Sequence, residues 1–301
     1  IPLLSLLLIA ASGCGATTVP ERSAAIEQEF LTRHKSVRTV DMSALLLRLD
    51  RGMEEYVSKV RKSENDRARR EAQSLEKWLE QQAIRHKTKL FEKLSDPSAR
   101  NRGIAAAALG FTRHEDLVAP LQSLLDDDAP FVRVNACFGL ATIAAPITPL
   151  TRLNEILLDP TEALPVRQSA GWALLSLQRS GSPRENFRRI WRNALAGDPL
   201  SKDPILLIHG LRGLGMLREA QQLDAIAPYV SHPKAKVRMT ALIAAARTGN
   251  RDAAPYIFPL LSAREVNANV RLAARKALKA LTGNRVDHEY DLPSWKKEFS
   301  R

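Results

Sequence analysis

VRVNACFGLA, residues Val132 to Ala141, is the stretch whose reading decides the fold. At about 100° per residue, positions 0, 4, 7 and 8 of this run share one side of a helix. They are Val132, Ala136, Gly139 and Leu140. Alanine and glycine in the middle of that side let a neighbouring backbone come close. The pattern, roughly V-R-x-x-A-A-x-A-L-G, recurs as NRGIAAAALG from Asn101, VRQSAGWALL from Val166 and LLIHGLRGLG from Leu206. It returns again as VRMTALIAAA from Val237 and VRLAARKALK from Val270. Successive starts lie 31, 34, 40, 31 and 33 residues apart, a period that marks stacked supersecondary units. Arginine holds position 1 in five copies, as Arg102, Arg133, Arg167, Arg238 and Arg271.

Ahead of each copy runs a second amphipathic stretch, clearest at 117–125, 147–158, 187–195, 223–230 and 253–261. Four of these carry an internal proline, Pro120, Pro149, Pro228 and Pro259, which predicts a kinked first helix in each unit. Composition agrees with helix. The chain is 45% hydrophobic but 5% aromatic, whereas strand-rich chains draw on aromatic and β-branched residues. Seventeen prolines fit many short helices better than a few long ones. The expected class is all-α.

Paired helices, proline in the first, and an acid ahead of V-R in the second resemble the bacterial HEAT-repeat family. Asp128 ahead of Arg133 is the best match to that acid, and Asp96, Asp159 and Asp198 are partial ones. The resemblance covers about residues 79–283 and implies a right-handed α-solenoid of about six helical hairpins. It also implies an aspartate–arginine ladder between units, here incomplete at Leu207 and in the fifth and sixth copies. Before the repeats, Leu45, Leu46, Leu49, Met53, Tyr56, Val57 and Val60 make one apolar stripe and Leu75, Trp78, Leu79, Ala83, Leu90 and Leu94 another. Such a helix pair suits the cap that a solenoid end requires. LTGNRVDHEYDLPSW, from Leu281, resembles the tail after many bacterial HEAT arrays, in which a tryptophan, here Trp295, packs back on the last helix.

The beginning of the chain reads IPLLSLLLIAASGC, an apolar run too short to span a membrane and closed by small residues before Cys14. It resembles the signal and lipobox of bacterial lipoproteins, starting partway into the signal. The resemblance implies lipidation of Cys14, and two or more acyl chains make a stable anchor. Gly15 after the cysteine implies the periplasmic face of the outer membrane in a double-membraned cell envelope. The expected organisation is therefore signal 1–13, tether 14–41, helical cap 42–93, HEAT-repeat solenoid 94–283 and tail 284–301.

Forty-five Lys and Arg against 33 Asp and Glu leave a formal charge of +12, which favours anionic partners. Chemistry is hard to place. The six histidines, at 34, 86, 114, 209, 232 and 288, show no metal-ligand spacing, and no phosphate-binding glycine loop or nucleophile elbow occurs. Cys137 sits at a small-residue position, as a buried inert thiol would. No cofactor is expected. Positions 2 and 6 of the pattern, opposite the tight face, ought to be polar if wet. They instead include Val134, Phe138, Trp172, Ile208, Met239, Ile243 and Leu272, with Arg212 and Lys276 among them. Either neighbouring helices bury these side chains, or they line an apolar groove with basic flanks. The expected function is a non-enzymatic, membrane-anchored scaffold or adaptor for a protein partner, an acidic one being favoured by the charge. Some HEAT-like bacterial proteins are DNA glycosylases that remove alkylated bases, and others are bilin lyases. The charge and Trp172 would serve the first, but a lipobox places the chain away from nucleic acid, and no residue selects the second.

Overall fold

The computed structural model describes residues 41–61, 65–198, 200, 202–262, 265 and 267–300. The lipobox and Cys14 lie outside them. Every regular element among the described residues is helical. The chain opens with α1 (Met42–Arg61) and α2 (Asp66–Arg85), packed on each other as a hairpin, with α1 also resting on the first repeat. Leu45, Leu46, Leu49 and Met53 bury the apolar stripe of α1, while residues 87–92, expected in the cap, form the first helix of the first unit.

Six units follow. Their second helices are α4 (Ala99–Gly110), α6 (Pro130–Ile143), α8 (Leu164–Arg179), α10 (Pro204–Leu217), α12 (Ala235–Thr248) and α14 (Ala268–Leu281). Each packs on the next, which makes the molecule an α-solenoid. Local chemistry marks their ends. Pro130 and Pro204 take first-turn positions where their missing N–H costs nothing. Asp203 and Asn267 accept backbone N–H bonds of the first turns of α10 and α14, and Gly249 closes α12 at φ +70°, a left-handed conformation that glycine adopts without strain.

The tight face works through backbone contact. A methyl on Gly110 would lie 2.7 Å from Gly139 Cα, and one on Gly139 would lie 2.5 Å from the Ala106 carbonyl oxygen. Further along, α10 meets α12 where a methyl on Gly215 would come 2.9 Å from Ala244 Cα. Ala136, Ala170, Ala241 and Ala274 are wholly buried on the same side.

The first helices differ from the sequence expectation. They are α3 (Lys87–Glu92), α5 (Val118–Ser123), α7 (Thr151–Leu158), α9 (Arg184–Leu195), α11 (Leu223–Ile226) and α13 (Ala254–Ile257). In units 2, 5 and 6 a short α-helical piece is bracketed by 3-10 turns. The prolines do not kink equivalent helices. Pro120 lies inside α5, Pro149 precedes α7 in an irregular turn, and Pro228 and Pro259 open the closing 3-10 turns. A proline lacks the N–H that continues a helix, so the α-helical ladder yields to a tighter turn at these places.

The ladder between units also uses other acids than expected. Arg102 donates Nε and Nη2 to the carboxylate of Asp127 at 2.7 and 2.9 Å, and Nη1 to the Asp96 carbonyl at 2.9 Å. Arg133 reaches Glu162 at 2.7 Å, and Arg238 reaches Glu265 at 2.9 Å. Each arginine thus ties its own turn to the acid that precedes the second helix of the following unit. Asp127, not Asp128, is the partner, because its side chain also accepts the Ala129 N–H and is held in place. Glu265 shows that the unit 5–6 joint is intact. Arg167 bonds the Leu157 carbonyl at 3.2 Å and meets no carboxylate among the described residues. At the next joint, between units 4 and 5, the first-helix side is stitched by Arg188–Glu219 and Arg192–Asp224.

The tail forms α15 (Leu292–Phe299), whose Trp295 is fully buried and donates Nε1–H to the Glu289 carbonyl at 3.0 Å. Arg251 of unit 6 stacks over Phe299 and bonds the Glu298 carbonyl.

Candidate functional site

Positions 2, 6 and 10 of the repeat pattern rise one helical turn apart along each second helix, so they form a single stripe per unit. The structure divides this surface in two. In units 1 to 3 the stripe is closed. Tyr56 of α1, Phe111, Phe138 and Trp172 touch in sequence, with ring centroids 5.5, 5.9 and 5.4 Å apart. Val134 and Phe138 are buried, and Trp172 is only 9% exposed. Large rings at positions 6 and 10 reach sideways and fill the space between adjacent second helices, and Tyr56 of α1 covers Phe111. These three residues, with buried Ile208, are therefore packing residues in this structure.

From unit 4 onward the side chains at these positions are aliphatic or basic, and the face opens. Arg212 and Met239 are half-buried, Ile243 is 48% and Leu272 38% exposed, and Lys276 is exposed. Arg247 joins them. It sits one turn beyond Ile243, and its Cδ lies 3.6 Å from where a methyl on Gly215 would be. Arg179, at the end of α8, completes the basic row. Sequence reasoning stopped at position 6 and missed Arg247 and Arg179; carrying the same register one turn further would have found Arg247.

These cations meet no carboxylate among the described residues, unlike the ladder arginines. Arg212 is held below the usual guanidinium range first by burial and then by the like charge of Arg247, and Arg179 by burial and then by Arg212. Burying charge without a partner is costly. The open half is thus an apolar strip of Met239, Ile243 and Leu272 set among cations that lack counter-charge.

Two other candidate groups, Cys137 and His209, are buried. The Cys137 thiol is pushed up to about 12 by burial, so it carries no thiolate for chemistry. His209 is buried against Gly171, its ring nitrogens have no partner, and burial followed by the Arg212 charge pushes it down to about 3. It is neutral at physiological pH. Among the described residues no three His, Cys, Asp or Glu side chains gather as metal ligands do, and no helix is long and apolar enough to cross a membrane.

A family profile described as HEAT repeats matches residues 88–175, so a HEAT-repeat domain is present there. No curated protein matches the chain significantly. Among solved structures the chain is similar to an engineered protein, with 17% identity over 65% of this chain and 96% of that one, at a TM-score of 0.47. It is also similar to human deoxyhypusine hydroxylase in complex with glycerol, with 18% identity over 86% of this chain and 96% of that one, at a TM-score of 0.30.

Proposed function

We propose that this chain is a lipid-anchored, non-enzymatic scaffold that holds an acidic protein partner on the open second-helix face of units 4 to 6. One observation carries the reading: Arg179, Arg212, Arg247 and Lys276 surround an exposed aliphatic strip and have no carboxylate partner among the described residues. A carboxylate arriving from outside would supply the missing charge, and the strip would bury apolar side chains of the same partner. Protein interfaces favour methionine and arginine in this way, whereas backbone phosphates are contacted mainly by cationic and polar groups. That contrast, together with the Ala11-Ser12-Gly13-Cys14 sequence, favours protein over nucleic acid.

The face is tested by fluorescence anisotropy with a labelled peptide alternating Glu and Leu, and with a short DNA duplex as second probe. The double variant Arg212→Glu/Lys276→Glu should abolish peptide capture and leave the fold intact by circular dichroism. Equal capture by wild type and variant would refute the assignment. Stronger capture of DNA than of peptide would transfer the face to nucleic acid. Anchoring is a separate test: full precursor expressed in a bacterium should incorporate acyl label and fractionate with membrane. Cys14→Ser should do neither, and equal labelling of both would remove the anchor.

A further inference from the structure

Unit 3 reaches its first helix differently from units 2, 5 and 6. Units 2, 5 and 6 lead in through a 3-10 turn, whereas residues 144–150 make an open turn that starts with Ala144 at φ 52°. The repeat spacing is also longest here, at 34 and 40 residues. Between this turn and the start of α9 lies a cleft of about 270 Å³. That is well above the about 10–15 Å³ of probe volume that a single water needs, so the cleft has room for a small ligand. Pro149 and Pro183 stiffen its two edges.

The polar lining is unusual in what it leaves unpaired. Thr148 is 3% exposed, and its hydroxyl has no hydrogen-bond partner; neither has the buried Oδ1 of Asn154. Among the described residues, the other buried side-chain atoms without partners belong to position 1 arginines and to His209, so these two meet in one cleft independently of the packing seams. A buried polar atom left unpaired costs about 1–3 kcal/mol and calls for an explanation. Arg189 lines the same cleft with no carboxylate partner among the described residues, and no Asp or Glu lines it. The first turn of α7, whose leading residues Leu150 and Thr151 face the cleft, has no side-chain cap. Its free N–H groups and the positive end of the helix dipole therefore point toward negative charge.

We propose that this cleft, between units 3 and 4 on the first-helix side, binds a small hydroxylated anion. Arg189 and the first turn of α7 receive the anionic group, Thr148 donates its hydroxyl to it, and Asn154 accepts from the ligand's O–H. A hydroxy-acid and a sugar-type phosphate share this chemistry and fit the volume. The site is separate from the open second-helix face, and it stands or falls without the partner reading.

The test is isothermal calorimetry on the full chain with glycerol 3-phosphate, malate, inorganic phosphate and glycerol, backed by melting curves. Saturable millimolar or tighter binding of glycerol 3-phosphate or malate, exceeding that of phosphate or glycerol alone, is expected. Which of the two binds decides between phosphate and carboxylate. Arg189→Gln should weaken it at least tenfold without moving the melting temperature. Thr148→Val should abolish the ligand-induced rise while the unliganded chain melts as high as wild type or higher, since an orphan hydroxyl has been removed. A Thr148→Val chain that melts lower shows the hydroxyl serving the fold and overturns its role as a donor. No saturable binding of any probe to wild type, or binding unchanged in both variants, overturns the site.

Discussion

At the scale of single residues, burial separates side chains that a repeat pattern treats alike. Phe138 and Ile243 both hold position 6, yet Phe138 is packed between Phe111 and Trp172 while Ile243 faces solvent. Trp172→Ala should therefore cost about 3–5 kcal/mol, as other buried tryptophans do, and lower the urea midpoint sharply. Ile243→Ser should leave that midpoint within about 0.5 kcal/mol of wild type and weaken capture of the acidic peptide. Similar stability losses in the two variants would contradict the division of the face. His209 supplies a second prediction. Its folded pKa is about 3, below the unfolded value near 6.5, so the unfolded chain binds the proton more readily. Stability should be fully present above pH 6.5 and fall as pH drops toward 3, by about 1.4 kcal/mol per unit for this group. Denaturation between pH 7 and pH 4 checks this by comparison with His209→Leu, whose curve should be flatter. Parallel curves would remove His209 as the cause.

At the scale of elements, the second helices are spaced by missing side chains and tied by arginine. Gly139 meets a backbone carbonyl, which cannot step aside as a flexible side chain would. Gly139→Ala gains up to about 1 kcal/mol of helix propensity but overpacks the seam, typically at about 1–3 kcal/mol. A net loss of stability with unchanged helix content is expected by circular dichroism under urea, and a stabilised variant would show that the α4–α6 seam can open. The ladder acids are legible only in part. Asp127 and Glu265 each stand six residues before an arginine, at the spacing of the repeat, while Glu162 stands five before Arg167. At the sixth place in unit 5 stands His232, whose Nδ1 accepts the Lys234 N–H. A polar residue at this place caps the local turn whether or not it can hold an arginine, so the sequence position alone does not name the ionic partner.

For the whole molecule, a solenoid is nearly one-dimensional, and its stability is a chain of joints between neighbours. The joints are unequal. Units 1–2, 2–3 and 5–6 carry half-buried arginine–carboxylate bonds, while α8 to α10 shows none among the described residues and the next joint, between units 4 and 5, relies on the more exposed pairs Arg188–Glu219 and Arg192–Asp224. Exposed pairs contribute little, about 0–1 kcal/mol. Native-state hydrogen exchange should find the amides of α10 opening at lower free energy than those of α6. Equal protection along the array would show that apolar packing, and not the ladder, sets local stability. The same joint lies next to both the proposed anion cleft and the first cation of the open face, so ligand in the cleft should raise protection in α9 and α10.

Sequence by itself determined the helical class, the six units and the tight face of each. These depend on a periodicity that every copy carries within ten residues, and a helix converts that spacing into a surface whatever its neighbours are. Tertiary structure alone decided which half of the position 2 and 6 stripe is open, because exposure depends on how far the ring of one unit reaches into the next and on α1 lying across the first. It also decided that Asp127 and not Asp128 holds Arg102, that the prolines mark 3-10 turns in some units and a loose turn in another, and that Thr148, Asn154 and Arg189 meet. The Arg102–Asp127 bond and the approach of Arg189 to Thr148 and Asn154 join residues about 25 to 40 positions apart through the packing of separate helices, and no local period encodes such distances.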